Sequence, residues 1–301
     1  MPLTAAQRHR TIEAPMKLQV STVLLQWAVG GLFFAWVTTR RREVGIGYGW
    51  TVRSTYLLMA LGAAGLGRWL EAGGGAALLR DVAAVGVAAA SGYALWLSYA
   101  RRRAGVAGER AIRRARAARV AAMTGIDRPD RYDDTIPEFP PAVDLLAPAV
   151  GVLGLAGATV AGGGPFLLGF ARLVCGAAFL GVATDAMLLG HSYLTQPGLS
   201  REPLRQLVRI GAWIWPVETL LLCLPTGMFQ VVTGSVDDGA NGLLGWIWLL
   251  STISTIVLLV VVEAALRERW YSAVMAATGL LYLAILTAFG QDLVARAVLG
   301  R

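Results

Sequence analysis

Eight stretches of about twenty apolar residues, the length that carries a helix across a bilayer, follow one another along this 301-residue chain. They fall at about 18–39, 53–70, 78–99, 143–162, 166–190, 208–232, 243–263 and 270–291. Lipid cannot hydrogen-bond to exposed peptide groups, so stretches of this length must satisfy their own backbone and do so as helices. The sequence therefore predicts an all-α, polytopic membrane bundle of about eight transmembrane helices. It forms a single domain over 1–301, with one sizeable soluble piece, a basic loop at 101–142. Composition agrees: 56% of residues are hydrophobic and 15% charged, where soluble proteins carry roughly a quarter charged.

A net charge of +8 would suggest nucleic acid in a soluble domain. Here the arginines lie between apolar stretches, which points to topology and argues against nucleic acid. Positive residues gather on the cytoplasmic side of short loops. With the N-terminus outside, 19 of the 27 Lys and Arg residues fall inside and seven fall outside. Both termini are thus expected on the non-cytoplasmic side, in a bacterial inner (plasma) membrane. Tryptophans mark the expected interfaces, with Trp36, Trp96 and Trp270 inside and Trp69, Trp246 and Trp248 outside. The stretch 53–70 is the least regular, since it begins at Arg53 and ends at Arg68; were it only interfacial, the count would fall to seven and the first span would invert. The first and second sets of four spans would run in the same direction, but no residue pattern repeats between them.

The basic loop opens with RRRAGVAGERAIRRARAARVAAMTG (101–125), expected to continue the third span as a helix along anionic headgroups or to dock an acidic partner, such as another membrane or redox subunit. The acidic, proline-rich run DRPDRYDDTIPEFPPAVD (127–144) then ends that helix.

Charged groups inside a membrane cost at least about 2.5–3.5 kcal/mol each, which makes them candidates for function. Glu263 is explained by Arg267 one turn on. Arg172 is near enough to its span's outer end to snorkel. Glu218 stands out, nine residues beyond Arg209 and between Pro216 and Pro225. Each proline removes the bond to the carbonyl four residues earlier, freeing those of Ala212 and Leu221 near the carboxyl group. Trp213 and Trp215 on the same stretch could wall a ring-shaped ligand. Asp185 and His191 are six residues apart, about 240° around a helix at 100° per residue, and so face different ways. Asp185 shares its face with the small residues Ala178, Gly181 and Ser192, where another helix can approach closely. His191 sits near a helix end, and histidine is the side chain that changes charge near neutral pH. A proton path from His191 through Asp185 to Glu218 is one expectation.

No P-loop, dinucleotide fingerprint, zinc-protease or serine-hydrolase motif occurs, so an enzyme acting alone is the least supported class. With one histidine beyond the N-terminal tail, a haem held by two histidines of this chain is excluded. Cys175 and Cys223 lie in apolar stretches without metal-ligand spacing and read as packed thiols. The reading favoured by sequence is a subunit of a redox- or proton-linked membrane assembly, holding a lipophilic ligand such as a quinone near Asp185, Glu218, His191, Arg172 and Trp215. In span number and orientation alone, the chain resembles the quinone-interacting membrane subunits of the polysulfide-reductase type. A proton-coupled secondary transporter and a membrane scaffold are the alternatives.

Overall fold

A computed structural model describes residues 19–71, 74–126, 132–195, 199–225 and 227–299, and these contain helices but no strand. The helices are α1 (Val20–Thr39), α2 (Ile46–Leu70), α3 (Gly75–Ala100), α4 (Ala107–Thr124), α5 (Leu146–Gly162), α6 (Phe166–Thr195), α7 (Glu202–Cys223), α8 (Gly227–Val232), α9 (Leu243–Arg267) and α10 (Tyr271–Leu299). Six of them, α1, α3, α5 with its leading turn, α6, α9 and α10, are long and apolar enough to cross a membrane. By length and composition this is a multi-pass membrane protein.

Helices α2 and α7 have similar lengths but lower mean hydropathy, because each carries charge, and the structure shows where that charge goes. On α2, Arg53 is buried while Leu58 and Leu61 face outward. On α7, Glu218 is buried while Trp213, Val217 and Leu220 face outward. Each helix therefore presents apolar residues outward and hides one charged group, Arg53 or Glu218, within the bundle, while Arg68, Glu202 and Arg209 are exposed, a division that an average over the stretch conceals. Helix α2 begins at Ile46, seven residues before the stretch legible in the sequence. Arg53 sits within its second and third turns because Asp144 neutralises it there, at 2.7 Å from Nε and 2.8 Å from Nη2.

The long helices form two closed four-membered rings. In the first, α1 packs on α2, α2 on α3, α3 on α5 and α5 back on α1; in the second the order is α6, α7, α9 and α10. The rings meet chiefly where α1 lies along α6. A Cβ on Gly30 would sit 1.6 Å from the carbonyl oxygen of Ala177, and one on Gly181 would sit 2.2 Å from the carbonyl carbon of Gly30. The small-residue face of α6 thus serves to admit α1, with backbones in contact.

Three local features differ from the sequence expectation. The third span does not run on into the basic loop: α3 stops at Ala100, a short turn follows, and Gly105 at φ 64° redirects the chain into a separate helix, α4. The acidic run folds back on α4, with Arg110 and Arg114 paired to Asp134 at 3.1 and 2.8 Å, and Arg42 paired to Glu138 at 3.0 Å. The run at 208–232 is not continuous, since α7 ends at Cys223 and the chain resumes as the short α8. Trp248, expected at the outer interface, is buried between helices.

At the start of α9 the first turn is capped from a distance. The Asp238 carboxylate accepts hydrogen bonds from the backbone N–H groups of Ala240, Gly242, Leu244 and Gly245 at 2.8–3.3 Å. Burial would raise this carboxyl group, but the four donors outweigh it and hold it below the usual aspartate range. Its contribution is therefore present above the ordinary aspartate pKa and is lost as pH falls through the lowered one. Asp238→Ala should cost about 0.5–2 kcal/mol, read as a lower unfolding temperature in detergent at pH 7, with the gap from the parent closing under strong acid.

Candidate functional site

Two buried charge groups lie in the first ring. Arg53, Asp144 and Thr39 form one, with Phe139 stacked 4.3 Å from the guanidinium. Arg80, Asp81 and Glu71 form the other, joined by the Ser21 backbone N–H at 3.2 Å from Glu71. In both, every charge has an opposite partner, as buried ions must. They hold the fold.

The second ring holds a cluster with a different balance. Helix α6 contributes Arg172 and Cys175, α7 contributes Glu218, and α10 contributes Asp292 and Arg296. Asp292 and Arg296 are one helical turn apart, and the guanidinium grips the carboxylate at 2.7 and 3.1 Å. Gln26 of α1 donates to the same carboxylate at 3.3 Å. Arg172 is engaged with backbone instead: its Nε donates to the carbonyl of Leu221 at 2.9 Å, and its Nη2 to that of Leu224. Leu221 is the carbonyl that Pro225 deprives of its helical partner, and a cation is favourable at a helix C-terminus. Arg172 accordingly does not snorkel outward; the broken end of α7 holds it.

Glu218 is fully buried; the Cys175 thiol adjoins its carboxyl group, and neither carboxyl oxygen has a nitrogen or oxygen hydrogen-bond partner among the described residues. Gly176 makes room for the Gln26–Asp292 contact, since a Cβ there would lie 2.2 Å from Gln26 Nε2 and 2.7 Å from Asp292 Oδ1. Glu218 is five residues from the end of α7, about 8 Å at 1.5 Å per residue. The helix thus ends sooner beyond Glu218 than the sequence indicates.

Above the cluster, between α1, α5, α6, α7 and α10, lies an open cavity of about 430 Å³. Its wall includes Arg172, Arg296, Gln19, Thr22, Thr159 and Leu222. The volume falls within the range of small-molecule sites, and the wall exposes somewhat more polar than apolar surface. Two guanidinium groups on the wall suit a ligand with hydrogen-bond-accepting oxygens, while the carboxyl group behind them can take or give a proton.

The structure brings together two of the five residues singled out by sequence, Glu218 and Arg172. Trp215 turns toward α9, donating from Nε1 to the carbonyl of Thr252 at 3.0 Å, and does not line the cavity; Trp213 points out of the bundle. Asp185 is buried where α2 meets α6, accepting from Tyr56 Oη at 2.7 Å and Tyr48 Oη at 3.5 Å. His191 is exposed, with Nδ1 3.3 Å from Tyr282 Oη. Asp185, His191 and Glu218 share no hydrogen-bond partner, and Asp185 lies ten residues along α6 from Cys175, about 15 Å. Asp292 and Arg296 escaped notice because the last stretch reads as ending at 291, whereas α10 runs to Leu299. Their i, i+4 spacing was the available signal. No protein family, curated protein or solved structure matches the chain.

Proposed function

We propose that the chain is an eight-span subunit of a redox- or proton-linked assembly in a bacterial inner membrane, with both termini outside. In this reading it binds a lipophilic ligand such as a quinone in the cavity beside Arg172 and Arg296. The observation that carries the reading is Glu218, a fully buried carboxyl group with no nitrogen or oxygen hydrogen-bond partner among the described residues, behind a cavity walled by two arginines. Carbonyl oxygens of a ring ligand would accept from the guanidiniums, and Glu218 would exchange the proton that accompanies a change in the ligand's charge. The inward-turned charges and apolar outer faces of α2 and α7 support counting both as spans, which makes eight. The expected roles of Asp185 and Trp215 become structural, and that of His191 peripheral.

The test is gentle extraction of the protein followed by solvent extraction and an optical spectrum. Quinone recovered in about equimolar amount is expected, and Glu218→Gln should abolish proton-linked redox activity in the host. A colourless extract combined with an unimpaired Glu218→Gln strain would end this reading. The break of α7 beside the cavity favours a second one, since interrupted helices frame substrate sites in secondary transporters. That reading requires proton-dependent flux in liposomes containing this chain alone.

A further inference from the structure

The polar groups of the second ring are distributed unevenly along its length. Around Glu218, α6 supplies Arg172 and Cys175, α10 supplies Asp292 and Arg296, and α1 supplies the uncharged Gln26 through Asp292. On its own helix the nearest titratable group is Cys223. Helix α8 has none, and the charged groups of α9 are Glu263 and Arg267 at the far end, with Glu263 held by Arg205 at 3.1 Å, Arg209 at 3.2 Å and Arg267 at 3.4 Å. Every charged neighbour of Glu218 thus lies toward the cavity, and Arg172 and Arg296 form part of both the cluster and the cavity wall.

In the other direction Gln291 donates to Thr219 Oγ1 at 3.4 Å and Thr255 to Thr287 Oγ1 at 2.8 Å, and beyond these pairs the interior is apolar. Between Gly176 and Thr184, α6 presents Ala177, Ala178, Phe179, Leu180, Val182 and Ala183. Val208, Gly211, Thr255, Leu259 and Ala284 close on this segment from α7, α9 and α10, leaving a void of about 10 Å³, no more than the lower limit for one water molecule. Asp185 beyond it is engaged by two tyrosines of α2. A proton needs water or a chain of hydrogen-bonding groups to move, and beyond Thr255 and Thr287 the described residues around this segment offer neither, whereas the cavity side is open.

We infer that Glu218 is a proton-binding site with one-sided access, exchanging through the arginine-walled cavity with the face on which the cavity opens and not with the opposite face. This deepens the proposed function and shares its membrane orientation, but it requires no quinone. Any proton taken up or released with the ligand would then come from the cavity side, and the relay through His191 and Asp185 would carry none.

The experiment places the purified full chain in strongly buffered liposomes with internal and external pH set independently. A membrane-permeant carbodiimide, which modifies carboxyl groups only when protonated, is added briefly. External trypsin then cuts the arginine-rich 101–125 segment where it faces outward, so the molecules that keep this segment uncut have their cavity outward. Modification of the peptide containing Glu218 is measured in that fraction by mass spectrometry. At fixed internal pH, labelling should fall with rising external pH, approaching about tenfold per pH unit once the group titrates, and should ignore internal pH. The Asp185→Asn and His191→Ala variants should give the same profile. Labelling that follows internal pH, follows both, or is absent at every pH would overturn the inference, as would a profile altered by either variant. Because no ligand is added, a failed search for quinone leaves this outcome standing.

Discussion

Asp144→Ala should remove most of the folded protein. The Arg53 guanidinium is almost completely buried and rests on two carboxylate oxygens at 2.7 and 2.8 Å. Without Asp144 it keeps the Ser98 hydroxyl at 3.4 Å and the ring of Phe139. Breaking a buried pair from one side costs about 3–5 kcal/mol, a large share of the ~5–15 kcal/mol that holds a typical protein folded. The paired replacement Arg53→Met with Asp144→Leu should recover much of the loss, since exchanging a buried ion pair for apolar side chains is often close to neutral. Thermal unfolding in one detergent, parent against single and double variants, provides the measure. A double variant as unstable as Asp144→Ala would show that the stranded charge is not the cause.

Gly30→Ala should be nearly as damaging, though it adds a single methyl group. That methyl would lie 1.6 Å from the Ala177 carbonyl oxygen, 2.4 Å from its carbon and 3.2 Å from its Cα. Overpacking against side chains costs about 1–3 kcal/mol because they can turn aside. Here the obstacle is the backbone of α6, so α1 and α6 must separate, and the seam between the rings opens with them. A loss of roughly 3 kcal/mol or more is expected on that ground. Gly65→Ala is the matched control, for a Cβ there meets nothing within 4 Å and alanine is the better helix former by about 1 kcal/mol. Equal effects at the two positions would show that the close approach of α1 and α6 does not support the fold.

Residues differ in how much of their role was legible in sequence. Glu218 was marked by depth in an apolar stretch and by its two prolines, and the carbonyl that Pro225 frees is indeed one that a side chain must satisfy. That the side chain is Arg172, from the preceding helix, was not legible, because nothing in sequence says which faces of α6 and α7 meet. Asp292 was hidden by a boundary: apolar counting stops where charge appears, whereas a helix continues when the charge is neutralised within it. The same reason explains why α2 begins at Ile46 rather than Arg53. Gly105 shows the converse, where an alanine- and arginine-rich run favoured an unbroken helix and one glycine with positive φ divided it.

What this sequence determined alone is that the chain is helical and largely apolar in its outward faces. In lipid each segment must satisfy its own backbone hydrogen bonds, and that requirement acts within about twenty residues at a time. What only the tertiary structure decided is which buried polar groups meet. Each residue turns a helix by about 100° and advances it about 1.5 Å, so partners depend on the rotation and ending of every helix. Those are set by packing between distant segments, such as Gly30 against Ala177. The same packing leaves Arg53 and Asp144 paired, Asp185 between two tyrosines, and Glu218 among Arg172, Cys175, Asp292 and Arg296 beneath an open cavity.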